Sequence, residues 1–110
     1  PFYCFSPNIW YYITIMKAEL VYHIKEYFTD GSIQEIKIWK VPPNKEEPSG
    51  IKYSFAYSIN NKRVVGYDNA EGKGDHKHYG ESEFPYEYEN IGKLWGDFLK
   101  DIERFKKGSK

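Results

Sequence analysis

The stretch Lys17–Val41, KAELVYHIKEYFTDGSIQEIKIWKV, reads as two alternating runs on either side of a turn. In the first run Ala18, Leu20, Tyr22, Ile24 and Phe28 fall on one side, and Lys17, Glu19, Val21, His23, Lys25 and Tyr27 on the other. That is the period of a strand, whose successive side chains point to opposite faces. Thr29-Asp30-Gly31-Ser32 has the chemistry to reverse the chain. Ile33 to Val41 then alternates again, with Gln34, Ile36, Ile38 and Lys40 opposite Ile33, Glu35, Lys37, Trp39 and Val41. The stretch predicts a β-hairpin.

Downstream, Pro42, Pro43 and Pro48 with Lys45, Glu46 and Glu47 between them predict a solvated loop, because proline cannot continue a ladder. Lys52 to Ile59 predicts a third strand, Asn60-Asn61 a tight turn that tolerates left-handed backbone, and Arg63 to Tyr67 a returning fourth strand. His76 to Gly80 is a candidate short fifth strand. Glu81 to Glu89 holds four glutamates and no basic residue, and Pro85 disfavours helix before it. The period then changes: Ile91, Leu94, Trp95, Phe98, Leu99, Ile102 and Phe105 recur at three and four residues, one apolar face of a helix. Asn90 is a candidate N-cap, while Lys106, Lys107 and Gly108 suit the other end. The expected fold is α+β: an antiparallel sheet of four to five strands, hairpin plus hairpin, with one long C-terminal helix on one face.

A chain of 110 residues suits one domain, expected over 16–110. Pro1 to Ile15 is uncharged and aromatic, without the features of a signal or anchor, and is expected to be either an extension upstream of Met16 or an extra edge strand. Sixteen basic residues balance sixteen acidic ones, so any polyanion site must be local. Cys4 is the single cysteine, which leaves no intrachain disulfide and points to a reducing, cytoplasmic setting.

Tyr67 to Tyr79, YDNAEGKGDHKHY, is the stretch whose residues look chosen for chemistry. In an extended backbone His76 and His78 share a face. They are candidates for a general acid and base, and cleavage of RNA by its own 2′-hydroxyl needs such a pair with a cation near the phosphate. Lys77, Lys73 or Arg63 could supply that cation, Asp68 could orient an imidazole, and Tyr67 and Tyr79 could stack on bases, with Asn69 beside them. The same histidines with Asp75, Asp68 or Glu81 would suit Zn, Mn or Fe. An exposed polar loop with incidental histidines, or a strand whose histidines hydrogen-bond only locally, also accounts for the pattern. His23, in mid-strand, is given no role.

Paired strands, Tyr67-Asp68-Asn69, a Gly/His loop ending in His76-x-His78, then Pro85-Tyr86 and a C-terminal helix, together resemble the TumE-like toxins of prokaryotic toxin–antitoxin modules, over roughly Met16 to Lys107. Here Asp75 and Lys77 interrupt what in that family is a denser histidine cluster. The resemblance implies a small cytoplasmic protein that slows growth by acting on RNA or translation and is neutralised by a helix-turn-helix antitoxin. The expectation is then a toxin acting as a small, metal-independent endoribonuclease, with His76, His78, Asp68 and Lys77 catalytic and Tyr67, Asn69, Lys73, Tyr79 and Arg63 holding substrate. No cofactor or membrane is expected, and a homodimer is compatible with the sequence. The alternatives are a non-catalytic binding or assembly module and a metal-dependent hydrolase built on the same loop.

Overall fold

The computed structural model describes residues 18–45, 47–69 and 74–108. β1 (Glu19–Tyr27) and β2 (Ser32–Lys40) form the expected hairpin, in register from Glu19↔Lys40 to Tyr27↔Ile33 with a bulge between Leu20 and Tyr22. Gly31 turns the chain with a φ of 88°, and the Asp30 carboxylate accepts from the Ser32 amide at 2.9 Å and its hydroxyl at 2.6 Å. β3 (Ile51–Ile59) returns along β2, and β4 (Lys62–Asp68) follows through Asn60-Asn61, with φ of 52° and 63°. Both turn residues being left-handed, the twist of this turn matches that of the strands it joins.

β5 (His76–Tyr79) and β6 (Ser82–Pro85) complete an antiparallel sheet in the order β1-β2-β3-β4-β5-β6. The sheet therefore has six strands rather than four to five. Acidic residues and Pro85 hide β6 in the sequence, yet all four of its residues are exposed. An edge strand with solvated side chains tolerates charge and proline that an inner strand would reject.

The helix α1 (Ile91–Gly108) begins as expected, the Asn90 side-chain oxygen accepting from the Lys93 amide at 2.8 Å. Its apolar stripe of Leu94, Phe98 and Ile102 is buried against one sheet face made by Ile36 and Ile38 of β2, Tyr53, Phe55 and Tyr57 of β3, and Val65 and Tyr67 of β4. Phe98 meets Phe55 edge-on at 5.3 Å and Tyr67 at 6.2 Å, while Trp95 meets Phe55 at 5.5 Å and Tyr22 at 5.6 Å. Each such pair adds about 0.5–1.5 kcal/mol beyond the burial of its rings. No described element covers the other face of the sheet. No helix among the described residues is long and apolar enough to cross a membrane. The expected extension Pro1 to Ile15 lies outside the described residues.

Candidate functional site

The register of β4 and β5 decides which residues meet. Asp68 pairs with His76, Tyr67 with Lys77, Gly66 with His78 and Val65 with Tyr79. Directly opposed residues share a face and neighbours alternate, so Asp68, His76 and His78 stand on the open face, while Tyr67, Lys77 and Tyr79 turn toward the helix. β6 adds Glu83 to the open face, opposite His78.

His76 is buried, at 4% exposure. Its Nδ1 lies 3.1 Å from the Gly74 carbonyl oxygen, to which an N–H there donates. Its Nε2 faces two carboxylates, 3.1 Å from Asp68 Oδ1 and 3.6 Å from Glu83 Oε2. The approach to Asp68 lacks hydrogen-bond alignment, and Asp68 Oδ1 is buried with no hydrogen-bond partner among the described residues. His78 stands edge-on to His76, ring centroids 5.1 Å apart. One ligand atom from each of Asp68, His76 and His78 lies within 4.8 Å of the others. Burial first, then the nearby Arg63 charge, pushes the His78 imidazole below its ordinary pKa of 6.5, against the pull of Glu83. His78 is thus kept neutral and able to offer a lone pair.

Arg63 joins this face because a bulge between Tyr57 and Ser58 sets it opposite Ser58. Its side chain runs across Gly66, where an added Cβ would sit 2.7 Å from Arg63 Cδ, and its Nη1 reaches within 4.0 Å of Asp68 Oδ2. Glycine is what allows the guanidinium to lie flat along the sheet toward the cluster.

Other residues expected in the site stand elsewhere in the fold. Lys77, expected with Lys73 or Arg63 as the cation near the phosphate, has its Nζ 3.1 Å from Asp101 Oδ2 beneath the helix, on the opposite face from the histidines. The Tyr67 hydroxyl donates to the same Asp101 oxygen at 2.5 Å, and the ring is buried rather than free to stack on a base. Tyr79 packs on Phe105 and lies under the Arg104 guanidinium. Asn69 is buried and stitches β4 to β3, its Oδ1 accepting from the Tyr53 amide at 3.0 Å and its Nδ2 donating to the Ile51 carbonyl at 2.8 Å. Lys73 lies outside the described residues. Of the alternative oxygen ligands, Asp68 joins the histidines, whereas Glu81 pairs with Lys62 at 2.7 Å and Asp75 lies by the Tyr53 phenol. His23 bonds Glu35 at 2.8 Å, on strands distant from the cluster.

Sequence reasoning passed over Glu83 and Asp101. A signal for Glu83 exists: Gly80, with φ of 62°, opens a turn that sets Tyr79 opposite Ser82, and one step further His78 meets Glu83. Asp101 is buried beside the apolar stripe of the helix, where it accepts from Tyr67 and Lys77. A family model described as Toxin TumE matches residues 11–106. No curated protein and no solved structure matches.

Proposed function

The chain belongs to the TumE toxin family, the toxin half of a toxin–antitoxin module, and from that premise we propose that it acts on RNA, cleaving the phosphodiester backbone at the Asp68–His76–His78 cluster. The observation that carries this reading is the convergence of a carboxylate and two imidazoles on a sheet face that no described element covers, with the Arg63 guanidinium beside them. A phosphodiester is an anion that gains charge on its oxygens as it reacts, and a preorganised cation next to the reacting group stabilises that charge.

The rest of the open face suits the same substrate. Ser54 and Ala56 of β3 and Gly66 of β4 make a low floor beside the cluster. Lys25 and Lys37 of β1 and β2 continue the face, with Tyr27 at its end under the Lys25 ammonium and 70% exposed. Backbone phosphates meet the cations and an unpaired base can stack on Tyr27, the role that Tyr67 and Tyr79, turned to the helix, do not fill. The buried His76, already committed through Nδ1 to the Gly74 carbonyl, favours a cluster acting as one unit over two independent acid and base imidazoles.

A non-catalytic reading draws on β1. This edge strand exposes Leu20, Val21 and Tyr22, an apolar strip on which the cognate antitoxin could add a strand or helix. That reading predicts a stable toxin–antitoxin complex and no effect of the free toxin on RNA.

The test is induced expression of the chain beside His78→Ala and Asp68→Asn, with growth and total RNA followed and folding checked by circular dichroism. The expected outcome is growth arrest with fragmented RNA, reduced roughly 100-fold or more in each folded variant, the scale of losing a group that takes part in proton transfer or charge stabilisation. Folded variants that cut RNA as fast as the parent chain, or a parent that leaves RNA intact, would overturn it.

A further inference from the structure

We propose that Asp68, His76 and His78 form a binding site for one first-row divalent metal ion of the Zn²⁺ type, with Glu83 positioned to complete its coordination. The inference deepens the reading of this cluster as the reacting centre and names its cofactor, while the site itself stands on geometry independent of any RNA chemistry.

Three observations point to an ion rather than to an ordinary hydrogen-bonded cluster. The first is the orientation of His76. With an N–H at Nδ1 given to the Gly74 carbonyl, the ring places Nε2 beside Asp68 Oδ1 at 3.1 Å and Glu83 Oε2 at 3.6 Å. Two carboxylate oxygens gathered around one ring nitrogen make a focus of negative charge that attracts a cation. A histidine that ligates a metal through one nitrogen characteristically donates its other N–H to a backbone carbonyl or carboxylate, which holds the tautomer and aims the ring.

The second is Asp68 Oδ1, buried and without a hydrogen-bond partner among the described residues although His76 Nε2 is near. A buried carboxylate oxygen left unsatisfied is costly. Arg63 does not relieve it, since the guanidinium approaches the other oxygen, Oδ2, at 4.0 Å. A metal ion at the focus of Oδ1 and the two imidazoles would.

The third is spacing. The three ligand atoms already lie within 4.8 Å of one another. Four ligands at about 2.1 Å around a tetrahedral ion stand roughly 3.4 Å apart, so small side-chain rotations close the set. Two imidazole nitrogens with one or two carboxylates are the donor set of Zn²⁺, Mn²⁺ or Fe²⁺ sites rather than of Mg²⁺, which prefers oxygen ligands and its own waters. Pairing along β4, β5 and β6 sets the three backbones before any ion arrives, and Glu83 on the solvated edge leaves a side open to a water or a phosphate oxygen.

The experiment uses the tag-free full chain, stripped with a chelator and titrated with ZnCl₂ by calorimetry, with metal content read after dialysis. The expected result is one ion per chain, with affinity falling in His78→Ala and in Asp68→Asn by more than the roughly 10- to 100-fold that loss of a ligand's supporting hydrogen bond costs. His23→Ala, which removes the histidine on β1, is expected to bind like the parent chain. A Zn²⁺-dependent rise in Tm present in the parent and absent in His78→Ala gives a second readout that needs no catalysis. No binding to the stripped chain, or binding unchanged in both ligand variants, overturns the site. RNA cleavage that persists in the stripped protein with chelator also overturns the metal requirement while leaving the RNA reading intact; stoichiometric metal in a protein that leaves RNA whole supports the site and removes the RNA reading.

Discussion

The side chains of His76 and Lys77 leave adjacent positions in opposite directions, one toward the carboxylates of Asp68 and Glu83, the other toward Asp101 under the helix. Lys77 and Tyr67 both donate to the buried Asp101, so a charge set among apolar side chains is satisfied by two partners and helps hold α1 to β4 and β5. A second carboxylate on the same helix, Asp97, accepts from the Tyr86 hydroxyl at 2.6 Å and from Lys93 Nζ at 2.9 Å. Burial pulls the Asp97 carboxyl up, but these two hydrogen bonds outweigh it and hold the group below its ordinary value of 3.8. Its folded pKa being depressed, the folded state binds fewer protons than the unfolded chain in this window. The stabilisation is complete above the unfolded value and is lost as pH falls through the folded one. Denaturant unfolding of the parent and of Asp97→Asn at several pH values is therefore expected to show curves that differ at neutral pH and converge below about pH 4. A difference that stays constant down to acid pH would show that Asp97 acts through something other than its charge.

At the scale of elements, Asn69 does the work of one more rung in the ladder. It sits where β4 ends, and its amide pairs with the Tyr53 N–H and the Ile51 carbonyl as a strand residue would. That bond pair keeps β3 and β4 together up to Asp68, whose carboxylate the site uses. Replacing Asn69 by Ala leaves one buried donor and one acceptor of β3 without their partner, a cost of about 1–3 kcal/mol for each group not recovered by water. Urea denaturation should show that loss, and Zn²⁺ titration of the still-folded variant should show weakened binding, because Asp68 loses its anchored neighbour. Wild-type stability in Asn69→Ala would mean that the β3–β4 pairing is set without it. The family resemblance grouped Tyr67, Asp68 and Asn69 as one functional element, and the structure divides them: one faces the helix, one faces the cluster, and one stitches strands.

For the molecule as a whole, one helix covers one face of the sheet, and the face so covered is almost entirely aromatic and aliphatic, with Tyr53, Phe55, Tyr57, Val65 and Tyr67 at most 2% exposed. Stopping the chain before Ile91 would bare that surface on an open sheet with free edges, and the expected result is loss of soluble monomer, read by size-exclusion chromatography. A soluble, folded sheet lacking α1 would show that the core lies elsewhere. The sequence alone determined most of this architecture, because a two-residue period, a left-handed Asn-Asn turn and a switch to a three- and four-residue period are local properties of the chain. It also determined that His76 and His78 share a face, since that follows from spacing within one strand. What only the tertiary structure decided is which face, and who else stands there. Strand register set Asp68 beside His76 and Glu83 beside His78, a bulge brought Arg63 alongside, and helix docking assigned Lys77, Tyr67 and Tyr79 to the helix side of the sheet. Apart from the β5–β6 turn at Gly80, which is local, register and docking depend on contacts between residues on different elements, and a shift of one position would exchange the two faces of a strand.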